Sequence, residues 1–319
     1  MKFVRNNQLL HKLLLVDGVG RSGKVMLAEI MTCFETVEKQ DYHEFLEYIP
    51  LAYKYGKIEK DIAKAILKTQ IDTELYNSMI GRRINSRATD YTSIYKHHSP
   101  EKYLSRASME DGPIVADRVA AEKPVYMSWC HDMVQKSDIV FDTFEEKVEL
   151  LYINRRPIDI IYEWDLKNFG ERVGSDPTEM QYLIDHNGVS VPELALGWEE
   201  EYIAASPIER IVRMIHTSFD RNYQAIESSN FQNQIKVVDF ESLVTDPSKV
   251  INVISRALQL EIGKKIDYIL KRENCPRVLS DLEYENREQT IFSKISPEYK
   301  ILVLEANKFY NQISGFSIK

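Results

Sequence analysis

A glycine-rich segment near the N-terminus carries the clearest chemical signal in this chain. Gly18, Gly23 and Lys24 satisfy the spacing G-x-x-x-x-G-K, and Gly20 adds a third glycine. Glycines let backbone N–H groups turn toward an anion, and Arg21 and Lys24 add full positive charges. We therefore predict that the segment cradles phosphate oxygens, the alternative being a tight turn without a ligand. The predicted cradle comprises Gly18, Val19, Gly20, Arg21, Ser22, Gly23, Lys24 and Val25.

The residue after the lysine argues against a bound magnesium ion. Loops that bind a nucleoside triphosphate place Ser or Thr there, because the hydroxyl holds Mg²⁺. This chain has Val25 instead. A loop that binds phosphate without a metal does not need that hydroxyl. We therefore expect a ligand other than ATP with Mg²⁺, and no metal site.

Two adjacent arginines mark a second candidate anion site. Arg155 and Arg156 follow an apolar run that is typical of a buried strand. Pro157 suits the first position of a helix, and Asp159 falls in its first turn. Ligands of open α/β sheets bind at the carboxyl ends of the strands. These arginines are therefore well placed to bind an anion.

His131 is the strongest candidate for a catalytic base. It stands at the end of the apolar run KPVYMSWCH, which predicts a buried strand. A histidine at the ligand-binding edge of a sheet can be aimed at a bound donor, and the adjacent Asp132 is placed to orient it. A hydrogen-bonded structural histidine is the alternative.

The elements around these residues predict a parallel sheet. The glycine segment follows the apolar run KLLLVD and precedes apolar residues at helical spacing. The further runs KPVYMSWCH, VELLYIN and IKVVDF alternate with helical patterns, and the tail after Gly263 is predicted to be helical apart from a loop near 276–290. Strands separated by helices predict one parallel sheet with helices on both faces. We expect a single α/β domain over 1–319, with helical insertions at roughly 40–120 and 165–205.

Composition excludes several classes of protein. The chain has 319 residues, 44% hydrophobic and 28% charged, unlike a collagen or a disordered chain. The formal charge of -8 has the wrong sign for a protein that coats nucleic acid. No apolar run near the N-terminus is long enough for a signal peptide or a membrane span. Three widely spaced cysteines suggest neither a disulfide framework nor a zinc site. We expect a cytoplasmic protein that binds no nucleic acid and has no membrane span.

The ordered set of these motifs resembles the P-loop sulfotransferases. In that family a loop of the form R/K-S-G-T-T follows the first strand, and a later strand ends in R-x-P-x-D-x-x-x-S. Here the loop has the sequence RSGKV from Arg21, and the later motif runs from Arg155 to Glu163. The segment IKVVDFESLVTDP and the C-terminal helix also resemble family signatures.

The resemblance implies a donor and roles for individual residues. The donor would be 3′-phosphoadenosine 5′-phosphosulfate, leaving 3′,5′-ADP as product, on a P-loop nucleotide-binding fold. Residues 18–25 would cradle the 5′-phosphosulfate, and Arg155 would bind the 3′-phosphate. Arg21 stands where the family often has a charge-stabilising lysine, and His131 where it commonly has its catalytic histidine. Glu163 stands at the position of a serine that helps to hold the 3′-phosphate.

The expected activity is transfer of a sulfuryl group to a hydroxyl or amine of a small-molecule or carbohydrate acceptor. His131 would act as base, and Arg21 and Lys24 would neutralise the leaving phosphate. One alternative is a P-loop kinase that uses ATP, with Mg²⁺ held by Asp132 or Asp142. Another is a catalytically degenerate nucleotide-binding protein, which the carboxylate of Glu163 favours. The sequence leaves the oligomeric state open.

Overall fold

The computed structural model describes residues 1–179 and 181–318. Its strands are β1 (Lys12–Asp17), β2 (Val125–Trp129), β3 (Val148–Asn154), β4 (Leu183–His186), β5 (Val189–Pro192) and β6 (Ile235–Asp239). The helices of the first half are α1 (Lys24–Met31), α2 (Phe45–Lys54), α3 (Lys60–Met79), α4 (Pro100–Ser105), α5 (Ile114–Glu122), α6 (Asp138–Phe144) and α7 (Pro157–Leu166). Those of the second half are α8 (Phe169–Arg172), α9 (Glu199–Ala204), α10 (Pro207–Ser228), α11 (Phe240–Thr245), α12 (Pro247–Leu258), α13 (Ile266–Arg272), α14 (Asp281–Phe292) and α15 (Pro297–Ser314). In the described part of the chain, none of these helices is long and apolar enough to cross a bilayer.

Four strands form one parallel sheet in the order β2-β1-β3-β6. Leu15 of β1 pairs with Ser128 on one side and with Leu150 on the other. Successive side chains of a strand point to opposite faces, so a sheet that is covered twice needs continuous apolar strands. The run KLLLVD meets that requirement. All its apolar side chains are fully buried.

The two faces of the sheet carry separate apolar cores. Leu13 and Leu15 belong to the core that includes side chains of α3, α6 and α10. Leu14 and Val16 belong to the opposite core, which includes side chains of α1, α12 and α13. The predicted α/β class, with a parallel sheet flanked by helices, is confirmed. The organisation of the whole chain as one domain stays a prediction.

The two predicted insertions differ in structure. Helices α2 to α4 lie within 40–120, and α5 begins there and ends at Glu122. The segment 165–205 contains α8 and α9 but also the antiparallel hairpin of β4 and β5, so it is not purely helical. The hairpin turns at Asn187 and Gly188, which have φ of 53° and 83°. Asn-Gly is the pair that two-residue hairpin turns favour, because both positions require positive φ. The pair Asn187-Gly188 was therefore a local signal for this hairpin, which the prediction of a helical insertion did not use.

Two local predictions need correction. The strand β2 ends at Trp129, so His131 lies two residues beyond the strand rather than at its last position. Helix α14 covers most of the predicted loop near 276–290. The side chain of Ser280 accepts a hydrogen bond from the backbone N–H of Glu283 and so caps this helix. A serine cap satisfies one of the free N–H groups at a helix start, and it stabilises a segment with few apolar residues.

Candidate active site

The loop between β1 and α1 is shaped by two glycines. Gly18 has φ of 155° and Gly23 has φ of 98°, values that L-residues with a side chain rarely adopt. A Cβ at Gly18 would lie 2.8 Å from the carbonyl oxygen of Ile153, and a Cβ at Gly23 would lie 2.6 Å from the ring of Phe240. Larger residues at either position would push the loop off the end of β3 and off Phe240, so both glycines are needed for this conformation.

The same loop leaves polar groups free to bind an anion. Helix α1 begins at Lys24, and no side chain caps its N-terminus. The Ser22 hydroxyl is buried, with the residue 1% exposed, and has no hydrogen-bond partner in the described part of the chain. Free N–H groups and an unpartnered hydroxyl at a helix start form a site for phosphate oxygens. The residues predicted for the donor's phosphosulfate therefore fit such a group.

Lys24 lies buried beneath the loop. Its ammonium donates a hydrogen bond to the carbonyl oxygen of Val19 at 3.2 Å. Burial lowers the pKa of Lys24, while the carboxylates of Asp132 and Asp17 act in the opposite direction. The side chain thus brings a partly compensated positive charge to the floor of the loop. The electrostatic interaction of such a charge with a nearby anion is stronger in a buried environment of low dielectric constant than in water.

Asp17 fixes the segment that follows β2 against the end of β1. Its carboxylate accepts hydrogen bonds from the backbone N–H groups of Met133 and Val134 at 2.9 and 2.8 Å. Burial, reinforced by the nearby Asp132, raises the pKa of Asp17 to about 7. These two hydrogen bonds place His131 and Asp132 beside the glycine loop, although the preceding strand β2 ends at Trp129.

His131 is held by Glu47 of α2. The carboxylate of Glu47 accepts from the backbone N–H of His131 at 2.8 Å, and it lies 3.1 Å from Nδ1 of the ring. The tautomer that donates from Nδ1 to this carboxylate leaves Nε2 unprotonated, as a general base requires. The His131 side chain is 42% exposed, so the ring remains accessible from the cavity.

The surroundings of His131 keep the ring neutral. Desolvation of the ring, and then the charge of Lys24, lower the pKa of His131, while Glu47 and Asp132 oppose them. Asp132 does not contact the ring in the way that the sequence suggested. Its carboxylate accepts from the side-chain amide of Asn222 at 3.1 Å instead. Glu47 is the residue that orients the histidine, and no local pattern pointed to it because it lies 84 residues away in sequence.

Arg155 lies beside the glycine loop together with a second arginine that the sequence analysis missed. Arg155 donates to the carbonyl oxygen of Arg21 at 2.8 Å, and its guanidinium carbon lies 4.6 Å from the centre of the Phe240 ring. The guanidinium carbon of Arg277 lies 6.0 Å from the same ring. Each of the two arginines has a buried Nε without a partner in the described part of the chain. An unpartnered Nε on each of two arginines near the glycine loop suits an anionic group such as a phosphate.

Glu163 forms an ion pair with Arg21, and the two charges compensate each other. The Arg21 Nη2 and Glu163 Oε2 atoms are 3.0 Å apart, with the side chains 47% and 27% exposed. Arg156 is engaged elsewhere, because its Nε lies 3.1 Å from a carboxylate oxygen of Asp159. The neighbouring Trp164 donates from its indole nitrogen to the carbonyl oxygen of Gly20 at 2.9 Å. Helix α7 therefore touches the loop through two adjacent residues, Glu163 and Trp164.

The loop and the histidine open onto one cavity of about 300 Å³. Tyr42 and Trp129 stack at 4.5 Å between ring centres, and the Trp129 ring meets His131 edge-on at 5.5 Å. The cavity is lined by Gly20, Tyr42, Glu47, Tyr48, Leu51, Lys54, Trp129, His131, Asp132, Gln135, Lys136, Trp164, Phe169, Glu179, Gln181, Tyr182, Glu193 and Leu194. Its volume suits a small organic molecule.

Asp142 lies outside this cavity. Its carboxylate is held by Lys60 at 2.7 Å and by Lys64 at 3.4 Å, both on α3. The fold therefore separates Asp142 from the glycine loop, and Asp132 is the acidic residue of that pair that lines the cavity. Within residues 1–179 and 181–318 no group of three or more His, Cys, Asp and Glu side chains is arranged to hold a metal ion.

Comparisons with known proteins give structural neighbours only. No protein-family model and no curated protein matches the sequence. A sulfotransferase domain from the Synechococcus PCC 7002 olefin synthase overlaps over 98% of this chain and 98% of its own, with 11% identity and a TM-score of 0.47. For a sulfotransferase domain from the curacin biosynthetic pathway the shares are 82% and 77%, with 10% identity and a TM-score of 0.46. For a sulfotransferase from Alicyclobacillus acidocaldarius they are 95% and 94%, with 12% identity and a TM-score of 0.42. Fold alone does not fix function, so the function is argued from the residues of this chain.

Proposed function

We propose that this protein is a sulfotransferase that moves a sulfuryl group from 3′-phosphoadenosine 5′-phosphosulfate to a hydroxyl or amine of an acceptor. The observation that carries the proposal is a shared cavity. Gly20 of the anion-binding loop and His131 line the same space, and the buried Lys24 acts electrostatically on the histidine. An anion cradle beside an accessible base is the arrangement that transfer of a charged group to a hydroxyl requires.

Two sets of residues would hold the donor, which supplies an activated sulfuryl group when bound. The uncapped N-terminus of α1 and the Ser22 hydroxyl, within residues 18–25, would bind the 5′-phosphosulfate. Arg155 and Arg277, with their unpartnered Nε atoms, would bind the 3′-phosphate. Arg155 lies over the Phe240 ring at 4.6 Å and Arg277 lies 6.0 Å from the ring centre, and such contacts limit the movement of the guanidinium groups before a phosphate binds.

The acceptor is activated by His131. Nε2 takes the proton from the acceptor hydroxyl or amine as the acceptor atom bonds to sulfur and the bond from sulfur to the bridging oxygen breaks. Glu47 accepts the Nδ1 hydrogen bond and stabilises the imidazolium that results. Lys24 and Arg21 offset the negative charge that grows on the bridging oxygen.

Neither alternative function is favoured by the site, although Asp132, one of the two Mg²⁺ ligands considered for a kinase, lines the cavity. A kinase would need Mg²⁺ ligands, yet Val25 supplies no hydroxyl and Asp142 is bound to Lys60 and Lys64 away from the cavity. A degenerate protein was favoured by the carboxylate of Glu163. The Arg21 guanidinium compensates that charge, so Glu163 does not by itself exclude a phosphate.

We expect 3′,5′-ADP to stabilise the protein in the absence of Mg²⁺. A ligand at 100 times its Kd stabilises the folded state by about 2.7 kcal/mol, which for a chain of this size raises Tm by about 4 °C. Thermal unfolding with 3′,5′-ADP plus EDTA, with ATP plus Mg²⁺ and without ligand measures the effect. A rise in Tm with ATP and Mg²⁺ alone would favour the kinase instead.

Glu163→Ser is expected to tighten binding of 3′,5′-ADP by about two- to fivefold, because the substitution removes from the proposed 3′-phosphate site a carboxylate whose charge the exposed ion pair with Arg21 compensates only in part. Affinity for 5′-AMP, which lacks the 3′-phosphate, should stay within error of the parent. Calorimetry with both nucleotides measures the difference. Equal gains for the two nucleotides would place Glu163 away from the 3′-phosphate.

A further inference from the structure

An apolar groove between α2 and the hairpin of β4 and β5 adjoins the cavity that contains His131. It encloses about 410 Å³ and is lined by Leu51, Ala52, Tyr55, Lys57, Tyr182, Leu183, Ile184, Glu193 and Leu196. Leu51, Tyr182 and Glu193 line both the groove and the cavity that contains His131. The two spaces therefore adjoin each other along these three residues.

One side of α2 leads from the histidine to the groove. Glu47 contacts His131, Leu51 lies one turn further along, and Tyr55 follows the end of the helix. Four residues of helix rise about 6 Å, so the path from Glu47 to Tyr55 covers about 12 Å. An acceptor that uses the whole path needs a body several methylene groups long.

The carboxylate of Glu193, at the junction of the two spaces, is compensated by neighbouring side chains. Glu193 stands at the junction, and its carboxylate accepts hydrogen bonds from the hydroxyl of Tyr55 and from Arg221, the latter at 2.9 Å. The charge of Glu193 is thus compensated within the protein. A ligand in the groove therefore does not need a positive charge to pair with this carboxylate.

The rim of the groove exposes apolar surface to water. Leu183 is 41% exposed and Leu196 is 42% exposed. Exposed apolar side chains around a concave site favour a ligand that covers them, because the free energy gained is proportional to the apolar area removed from water.

We infer that the acceptor is an amphiphilic alcohol or amine whose reactive group lies at His131 and whose alkyl chain lies in this groove. The inference rests on the proposed function, because that function makes His131 the base for the acceptor. The chain-binding property of the groove can nevertheless be measured without turnover.

Binding of 1-butanol and 1-octanol to the nucleotide-free protein, followed by calorimetry, tests the inference. Each fully buried methylene is worth up to about fourfold in affinity, and we expect 1-octanol to bind at least about tenfold more tightly than 1-butanol. Leu183→Asn combined with Leu196→Asn should reduce that ratio to about threefold or less. Both positions are exposed, so the variant should unfold at the parent's temperature.

Val189→Asn is the matched control. Val189 lies on the same hairpin and is 45% exposed, but it does not line the groove. It should keep the parent's preference for 1-octanol. Loss of the preference in this control as well would overturn the assignment to the groove, since the effect would then belong to the hairpin as a whole.

The remaining outcomes separate the inference from the proposed function. Stabilisation by 3′,5′-ADP without a chain-length preference would overturn the inference and leave the proposed function standing. A chain-length preference that the groove variant abolishes supports the inference. If that preference appeared without stabilisation by 3′,5′-ADP, the assignment of the groove to an alkyl chain would still be supported, and the proposed donor would be contradicted.

Discussion

Replacing His131 by asparagine is expected to lower kcat for sulfuryl transfer by about 10²–10⁴-fold, the usual contribution of a general base. An asparagine amide can still donate to Glu47, so the segment after β2 should keep its place. Affinity for 3′,5′-ADP should not change, because the proposed role of His131 is toward the acceptor and not toward the nucleotide. Transfer assays and calorimetry on the same preparation measure both quantities. A kcat within threefold of the parent would remove His131 from the chemistry.

The pH profile separates the base from the residue that positions it. The pKa of His131 is lowered, so the neutral base persists below the ordinary histidine value of about 6.5 and activity should fall only in more acidic solution. Glu47 raises the pKa of His131, so Glu47→Gln should move the acidic limb of kcat/KM for the donor further down in pH. A variant with reduced activity and an unmoved acidic limb would limit Glu47 to a structural role.

Lys24→Met is expected to lower kcat/KM by about 10²–10³-fold, the loss seen when one preorganised charge or donor is removed from a transition state. Methionine approximates the length of the lysine side chain, so the packing beneath the loop changes little. Lys24 lowers the pKa of His131 in the parent. Its removal should therefore move the acidic limb of the pH profile upward, which loss of packing alone would not do.

Arg82→Ala serves as the control for the lysine variant. Arg82 is exposed and forms a surface ion pair with Asp111 at 3.0 Å, outside the cavity around His131. Its loss should leave kcat/KM and the affinity for 3′,5′-ADP near the parent values, since such pairs contribute about 0–1 kcal/mol. An equal loss of activity in Arg82→Ala and Lys24→Met would contradict the assignment of Lys24 to the anion cradle.

Local sequence patterns were sufficient to predict the frame of the site. The strand at Lys12–Asp17 and the strand at Val148–Asn154 coincide with the apolar runs KLLLVD and VELLYIN. Helix α12 (Pro247–Leu258) is one of the helical patterns that alternate with these runs. Such elements are readable because burial on both faces of a parallel sheet needs an unbroken apolar run, and a helix needs periodic apolar residues. The end of β2 was harder to predict, because the last residue that pairs in a strand depends on where the neighbouring strand ends, here β1.

The sequence by itself determined the glycine loop, because its shape depends on the conformational freedom of residues within a few positions of one another. Tertiary structure alone decided that Glu47 orients His131 across 84 residues and that Glu163 pairs with Arg21 across 142 residues. It also decided that Arg155 and Arg277 share the ring of Phe240, and that α2 and a hairpin enclose a groove. Such contacts depend on how the helices return over the sheet. A local sequence pattern cannot predict how the helices return over the sheet. Each crossover is determined by burial of the apolar surface as a whole, and not by the particular residues that come into contact.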